Sequence, residues 1–301
     1  MCGVGGVFFK TTEHHRKTGE IAYHVLDGIY RRGPDSTGLA FVQPAAEDRL
    51  YVGINCEEPG GGGRALALLD ELGRVESATD GEGYIRTTVR YGGDDAALVD
   101  AIDALGPAYS VASIGHRLEV LKHLGGVENL EDKFTISNYD GPMAMGLTRY
   151  ATESQIDFTH GQPLSARLHR DLAIMHNGHI TNFHHLRYHY ERAGYTFTTS
   201  NDSEVIAVAL VDEMGKGASF REALERSVSI LDGCFTYIAA TADEVGVVKD
   251  PYAAKPLVVG ETERLVAVSS DCWSLRDGVG EDIEVWEPGA GEVVTWRLPI
   301  H

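Results

Sequence analysis

The stretch that decides the fold is the start of the chain, Met1-Cys2-Gly3-Val4-Gly5-Gly6-Val7. Removal of Met1, which the small side chain of Cys2 permits, places a thiol and a free α-amine on one residue. Their ordinary pKa values, about 8.5 and about 7.7 to 8.0, are closely matched, so the amine can accept the thiol proton directly or through a water. The stretch predicts a nucleophile that carries its own base. The alternative is a frayed terminus that contains a cysteine.

Composition limits the function classes. The chain has 301 residues, 43% of them hydrophobic, and carries a formal net charge of -19. This charge repels phosphate backbones and anionic membrane surfaces, so nucleic acid and membrane are unexpected partners. The sequence has neither an apolar run of roughly 18 residues nor a signal peptide, which predicts a cytoplasmic location. The remaining cysteines, Cys56, Cys234 and Cys272, are far apart and are interpreted as small core residues.

Hydrophobic periodicity predicts a mixture of strands and helices around an irregular middle. The first strand follows Cys2, a helix covers 19–30 and a strand covers 39–42. Between about 45 and 146 the pattern predicts an insertion with its own small α/β core. Further strands are predicted at 172–175, 234–239, 245–249, 256–259, 265–268 and 292–298, and helices at 183–193, 205–214 and 218–231. Asn177-Gly178 after a strand predicts a tight turn.

A series of motifs follows the terminal cysteine in a fixed order. They are Cys2-Gly3-Val4, Arg32-Gly33-Pro34-Asp35-Ser36, Thr148-Arg149-Tyr150-Ala151-Thr152, His176-Asn177-Gly178, Asn201-Asp202-Ser203-Glu204-Val205, Asp250-Pro251 with Lys255-Pro256-Leu257, and Val268-Ser269-Ser270. Together they resemble the class II glutamine amidotransferase domain, a branch of the N-terminal nucleophile hydrolases. The resemblance covers 1–44 and 146 to about 275. It implies an α+β fold, a four-layer αββα sandwich, in a single domain over 1–301 with the insertion at about 45–146.

The motifs also supply the groups that hydrolysis of glutamine requires. The side-chain amide needs a nucleophile, the tetrahedral oxyanion needs donors, and the two charged ends of the amino acid need counter-charges. Cys2 is the predicted nucleophile, and the Asn177 side chain and the Gly178 N–H are the predicted oxyanion donors. Arg149 offers a bidentate fork to the α-carboxylate, and Asp202 offers a carboxylate to the α-ammonium. The resemblance implies the same roles.

Two further positions enter the predicted substrate site through the resemblance. Arg32 matches a loop arginine expected near the terminal cysteine, although a loop-stabilising role is an equal alternative. Thr152 ends the motif around Arg149. The sequence departs from the synthase-type pattern directly afterwards, because Glu153-Ser154 stands where histidine and glycine usually follow. How this edge of the glutamine pocket closes is therefore left open.

Each motif has a simpler interpretation when it is taken alone. Asn177-Gly178 would be a turn, Arg149 a surface ion pair and Asp202 a helix cap. His176 is interpreted as structural, because the nucleophile already has its amine. The pair His185 and His189 has metal-ligand spacing on a predicted helix, but no third ligand is identifiable, so no metal site is predicted.

The leading functional hypothesis is a glutaminase subunit that passes ammonia to a separate synthase. The rivals are a free-standing N-terminal nucleophile amidohydrolase and a catalytically silent regulatory subunit. The chain looks similar to the small amidotransferase subunits of split glutamate-synthase-like enzymes, including N-methylglutamate synthase. That resemblance implies a hetero-oligomer whose partner carries FMN and an iron–sulfur cluster. The sequence itself contains no phosphate loop, dinucleotide fingerprint or cluster-binding cysteines, so no cofactor is expected in this chain. The insertion is expected to help form the docking face.

Overall fold

The computed structural model describes residues 2–12, 17–44, 46, 48–151, 155–280 and 283–299. The strands in this part of the chain are β1 (Gly3–Phe9), β2 (Ser36–Val42), β3 (Arg49–Cys56), β4 (Arg74–Asp80), β5 (Tyr84–Arg90), β6 (Tyr109–Gly115), β7 (Leu118–Leu124), β8 (Met143–Arg149), β9 (Leu172–Ile180), β10 (Gly233–Thr241), β11 (Glu244–Lys249), β12 (Val258–Glu261), β13 (Leu265–Ser269), β14 (Val285–Trp286) and β15 (Val293–Arg297). The helices are α1 (Thr18–Ile29), α2 (Gly62–Leu72), α3 (Asp95–Asp103), α4 (Val127–Phe134), α5 (Phe183–Arg192), α6 (Glu204–Gly215), α7 (Phe220–Ile230) and α8 (Cys272–Val279).

The N-terminal strand lies in the middle of a seven-stranded antiparallel sheet of order β14-β12-β13-β1-β8-β2-β7. Successive side chains of a strand point to opposite faces, so Val4 and Phe8 enter one apolar core while Val7 and Phe9 enter another. Gly6 permits the close pairing of β1 with β8, because a Cβ at this position would lie 2.3 Å from the Ala144 carbonyl oxygen. The terminus is thus held from both sides by long-range pairing.

A second antiparallel sheet, of order β15-β11-β10-β9, stacks on the first. An apolar core fills the space between the two sheets, contributed by residues such as Leu147, Met175 and Ile238. Helices α5, α6 and α7 cover the outer face of the second sheet, and α1 and α8 cover the outer face of the first. The layer order is therefore helix, sheet, sheet, helix. The predicted α+β four-layer αββα sandwich is confirmed.

The middle of the chain builds an additional layer. Strands β3 to β6 form a separate four-stranded sheet of order β4-β5-β3-β6, which packs with α2 and α3 around its own apolar core. The next strand, β7, instead pairs with β2 at the edge of the seven-stranded sheet, and α4 packs against that sheet and α1. The separate layer spans 49–115, and the segment after it belongs to the main sandwich.

Two local predictions are wrong. Asn177-Gly178 does not form a turn, because β9 runs through both residues to Ile180 and pairs with β10 along its whole length. Tertiary pairing here outweighs the turn preference of the dipeptide. Cys234 is exposed and Cys272 is half-buried, since one lies near the start of β10 and the other begins α8; Cys56 is buried as predicted.

Among the described helices, none combines the length and apolar character needed to span a bilayer.

Candidate active site

Cys2 lies at the start of β1, at one end of the layer between the two sheets. Its neighbour Gly3 pairs with Thr148 of β8, which brings Cys2 beside the segment that follows this strand. The thiol donates to the Tyr150 carbonyl oxygen at 3.8 Å, and the side chain packs against the inter-sheet core. Burial raises the pKa of the Cys2 thiol, and the positive charge of the nearby Arg149 guanidinium partly offsets this rise. A thiol of raised pKa needs a base, which a free α-amine would supply.

Arg149 is the last residue of β8 and is only 2% exposed. Its Nη1 donates to the Gln155 carbonyl oxygen at 3.0 Å, and burial lowers the pKa of the guanidinium, although arginine stays charged. The Arg-Gly-Pro-Asp loop braces this segment: the Asp35 N–H donates to the Arg149 carbonyl oxygen at 3.0 Å, and the Asp35 Oδ2 accepts from the Ala151 N–H at 2.8 Å. The backbone around Arg149 is therefore fixed from two directions.

Gly178 lies on β9, the edge strand of the second sheet. It pairs with Phe235, whose N–H and C=O both hydrogen-bond Asp250 on the far side of β10. Gly178 and Phe235 are therefore a non-hydrogen-bonded pair of the antiparallel ladder, in which the N–H and C=O groups of each residue point away from the other strand. The Gly178 N–H accordingly faces the open edge of the sheet. A Cβ at this position would lie 2.3 Å from the Cys234 carbonyl oxygen, which explains the glycine. The edge position leaves this N–H available to a ligand.

Asn177 precedes Gly178 on the same strand. Side-chain alternation places Asn177 on the same face as Met175, toward the inter-sheet layer against which Cys2 packs. The residue is 2% exposed, and within the described part of the chain its Nδ2 has no hydrogen-bond partner. A buried donor without a partner costs free energy, so this amide is suited to a ligand oxygen.

Asp202 lies in the loop before α6 and is anchored to the edge strand. Its Oδ2 accepts from the Ile180 N–H at 2.8 Å and lies 3.5 Å from His179 Nδ1, and its Oδ1 accepts from the Ser203 hydroxyl at 3.3 Å. The carboxylate is not the cap of α6, because the N-cap residue is Ser203. The helix-cap alternative for Asp202 is therefore wrong.

Four of the predicted residues line one cleft of about 270 Å³. Its lining includes Cys2, Arg149, Gly178 and Asp202, and Asn177 lies in the strand beneath it. Arg149 and Asp202 act on the Cys2 thiol pKa in opposite directions, the first lowering it and the second raising it. The cleft thus places a cation and an anion around one thiol, which matches the zwitterionic end of an amino acid.

Arg32 and Thr152 have different outcomes. Arg32 ends a 3-10 turn and is not among the residues that line the cleft; its Nε and Nη2 are buried without hydrogen-bond partners among the described residues. The next residue, Gly33, lies directly against the end of β8, since a Cβ there would be 2.4 Å from the Thr148 carbonyl oxygen. Thr152, Glu153 and Ser154 lie outside the described residues. The substrate role of Arg32 stays a prediction.

The structure adds a buried network that the sequence did not predict. Gln162 bridges His176, with its Oε1 accepting from the His176 N–H at 2.6 Å and its Nε2 donating to the His176 carbonyl oxygen at 3.1 Å. The His176 Nδ1 lies 2.7 Å from the Ser203 hydroxyl, which in turn donates to Asp202. Burial lowers the pKa of His176, so its imidazole is neutral near pH 7. His176 therefore supports Asp202 through Ser203 and also lines the cleft.

Glu204 belongs to one of the ordered motifs, but the sequence patterns gave it no role of its own. It is fully buried and accepts four hydrogen bonds, from the N–H and hydroxyl groups of Thr198 and Thr199. These bonds fix the loop that precedes α6 and carries Asp202.

Among the described residues, no three His, Cys, Asp or Glu side chains are grouped closely enough to bind a metal ion.

Comparison with known proteins decides the family. A model described as "Glutamine amidotransferase domain" matches residues 150–277. The glutamine amidotransferase-like protein GlxB of Rhizobium meliloti is 32% identical over 98% of this chain and 98% of its own length. This chain belongs to the class II glutamine amidotransferase family. A protein of Methanothermobacter thermautotrophicus, whose name also places it among the glutamine amidotransferases, is 32% identical over 99% of this chain and 100% of its own length.

The solved structures agree on the fold of this glutamine amidotransferase. The glutamine phosphoribosylpyrophosphate amidotransferase of B. subtilis, solved with ADP and GMP, matches 98% of this chain and 47% of its own chain with a TM-score of 0.62. At 22% identity the likeness shows the fold alone. An amidophosphoribosyltransferase of Methanocaldococcus jannaschii is 31% identical over 62% of this chain, which corresponds to 41% of that longer protein.

Proposed function

We propose that this amidotransferase hydrolyses glutamine to glutamate and ammonia at Cys2 and passes the ammonia to a partner synthase. The observation that carries the first half is the cleft that brings Cys2 together with Arg149 and Asp202. Charges of both signs suit an α-amino acid better than a general amide, because the α-carboxylate can pair with Arg149 and the α-ammonium with Asp202, whereas an uncharged amide offers neither group. Family membership supports the same substrate.

The proposed reaction begins at the Cys2 sulfur. The free α-amine takes the thiol proton, the sulfur attacks the glutamine side-chain carbonyl, and the tetrahedral oxyanion receives hydrogen bonds from Asn177 Nδ2 and the Gly178 N–H. Collapse of this intermediate breaks the C–N bond, and the proton held by the amine leaves with the nitrogen as ammonia. Water then attacks the γ-glutamyl thioester, which gives glutamate and restores the thiol. Arg149 and Asp202 hold the α-carboxylate and α-ammonium throughout.

The proposed acceptor of ammonia lies in a separate subunit. Ammonia is largely protonated in neutral water, so direct delivery preserves its nucleophilicity. Two relatives of similar length match this chain over 98% and 100% of themselves, which supports an amidotransferase subunit of this size. We propose a glutamate-synthase-like partner, with N-methylglutamate synthase as one example, in which FMN and an iron–sulfur cluster belong to the partner. The separate layer at 49–115 is the proposed docking region of this hetero-oligomer.

The test measures ammonia release by the purified chain from glutamine, from asparagine and from butyramide, which lacks both α-charges. We expect glutamine to be strongly preferred and its hydrolysis to increase when a copurifying synthase is added. Full glutamine hydrolysis by the isolated chain, with no copurifying partner and no stimulation by native extract, would favour the free-standing amidohydrolase. Failure to hydrolyse any amide, with or without the partner, would favour the silent subunit.

A further inference from the structure

A hydrogen-bonded relay of aspartate, histidine and serine lies at the rim of the same cleft, apart from Cys2. The His160 Nδ1 lies 2.8 Å from both carboxylate oxygens of Asp157, and the His160 Nε2 lies 2.9 Å from the Ser200 hydroxyl. These are the distances at which an aspartate orients a histidine and the histidine accepts a proton from a serine. The proposed glutaminase reaction uses none of the three residues.

The protonation pattern of the relay follows from the chemistry of its members. An ionised Asp157 can only accept hydrogen bonds, so the hydrogen between it and His160 is carried by Nδ1. In the neutral imidazole, Nε2 then holds a lone pair and accepts the hydrogen bond from the Ser200 hydroxyl. The distances in the relay are compatible with the tautomer in which His160 acts as a base toward Ser200.

Two of the three side chains are mostly buried and the third, the serine, is exposed, as a nucleophile that must reach a substrate requires. Only 19% of the Asp157 side-chain surface and 13% of the His160 side-chain surface are exposed to solvent, whereas Ser200 is exposed and lines the cleft. The backbone also fixes the histidine, because its N–H donates to Asp157 Oδ1 at 2.7 Å and its carbonyl oxygen accepts from Asn201 Nδ2 at 3.3 Å. The base is oriented inside the protein, and the hydroxyl is presented to solvent.

Donors for a developing oxyanion lie next to the hydroxyl. Three N–H groups of this loop donate hydrogen bonds inside the loop itself. The Thr199 N–H donates to Glu204 Oε2, the Asn201 N–H to Thr199 Oγ1, and the Ser203 N–H to Asn201 Oδ1. Across the part of the chain that the structure describes, the N–H groups of Ser200 and Asp202 donate to no protein acceptor. A free N–H on the nucleophile itself is one of the donors that serine hydrolases use.

We propose that Ser200 is a second nucleophile of this chain, which accepts acyl groups from small carboxylic esters independently of Cys2. The Ser200 oxygen attacks the ester carbonyl while His160 Nε2 takes the hydroxyl proton. The ester C–O bond then breaks, the alcohol leaves with that proton, and an acyl-serine remains. Water, deprotonated by the same histidine, hydrolyses the acyl-serine to the carboxylic acid. Asp157 holds the imidazole in the required tautomer.

The experiment uses the full chain with Cys2→Ala, so that the cleft contains no competing thiol and the outcome is separate from that of the glutaminase proposal. An alkyl fluorophosphonate is added, from which an activated serine displaces fluoride, and the modified residue is located by peptide mass mapping. We expect one adduct, on Ser200, and p-nitrophenyl acetate to release p-nitrophenolate with an acetyl group trapped on the same residue.

Matched variants in the same background separate activation from mere exposure. Ser200→Ala should remove the adduct, and His160→Gln and Asp157→Asn should each slow labelling by at least about tenfold, since they remove the base or its tautomer. Ser229→Ala, which changes an exposed serine of α7, should leave labelling unchanged. Absence of the adduct in a folded chain, or equal labelling rates with and without His160, would overturn the proposal.

Discussion

The two walls of the cleft are built in different ways. Cys2 directly precedes β1 and Arg149 ends β8, and both strands lie inside the seven-stranded sheet and are paired on both sides. Gly178 belongs to the edge strand β9, which pairs with β10 on one side; on the other side, within the described ranges, it has a single bridge between Leu164 and Ile174. The first wall commits its backbone groups to neighbouring strands, and the second wall leaves some of them unpaired by strands.

The difference assigns different tasks to the two walls. A doubly paired strand is a rigid support, which suits the proposed nucleophile Cys2 and the buried Arg149. An edge strand has spare N–H groups, and here the Ile180 N–H anchors Asp202 while the Gly178 N–H faces outward. The Gln162 side chain replaces part of the missing strand pairing, because it bonds both the N–H and the C=O of His176. Variants on the two walls should therefore fail in different ways.

The largest effect is expected on the first wall, from Cys2→Ala. Glutamine hydrolysis should fall by at least about a thousandfold, because the nucleophile is gone. Far-UV circular dichroism should be unchanged, since little volume is removed, and Cys2→Ser should retain little activity because a hydroxyl is a poorer nucleophile beside a weak amine base. Cys272→Ala, on α8 and outside the cleft lining, is the control and should keep wild-type activity.

The next effect belongs to the second wall. Asn177→Ala should lower kcat by roughly a hundredfold to a thousandfold with little change in KM, because the lost donor acts on the oxyanion rather than on bound glutamine. Asn177→Asp, which keeps the size but replaces the donor by a carboxylate, should be at least as impaired. Steady-state kinetics give the split, and normal kcat for the Asn177→Ala enzyme would remove this residue from the oxyanion site.

A comparison across the cleft concerns substrate capture. Arg149→Lys and Asp202→Asn should each raise KM by about tenfold to a hundredfold with a smaller change in kcat, as expected for the loss of one charged hydrogen-bond pair. Butyramide, which has neither α-charge, should be hydrolysed equally poorly by both variants and the parent chain. If both variants instead lose kcat at unchanged KM, the two residues do not bind the ends of glutamine.

The smallest effect tests the hydrogen-bond network that supports Asp202. Ser203→Ala removes a buried hydroxyl that contacts His176, Gln162 and Asp202, so it should reduce the free energy of unfolding by about 1 to 3 kcal/mol. Urea denaturation measures the change. Ser229→Ala on the exposed face of α7 should stay within about 0.5 kcal/mol of the parent. Equal stability of the two variants would show that the second wall does not depend on this network.

Much of the frame was predictable because it depends on local patterns. Strand and helix periodicity located β1, α1, α6 and the strands after β9 except the two-residue β14, and the ordered motifs contained Arg149, Gly178 and Asp202, which line the same cleft as Cys2. The sheet to which β7 belongs was not predictable. Its partner β2 lies far earlier in the chain, and periodicity contains no information about which strands pair. The strand through Asn177-Gly178 contradicts a local turn rule for the same reason.

The supporting side chains were missed because nothing in their spacing marks them. Gln162 contacts His176 from a loop, and Glu204 accepts bonds from residues directly before its own helix. Both depend on where buried donors and acceptors meet in three dimensions. His160 and Ser200 were missed likewise, since their contact joins two loops that are distant in sequence. Composition and periodicity report burial, not the partners of a buried polar atom.

The most direct test of the central claim is covalent trapping at the terminus. The purified chain is incubated with a diazoketone analogue of glutamine, and the product is examined by intact mass and peptide mapping. We predict a chain that begins at Cys2, carries a single adduct on that residue, and is protected by excess glutamine. A glutaminase-active chain that still carries Met1, or an adduct that forms elsewhere while Cys2 stays unmodified, would contradict the account.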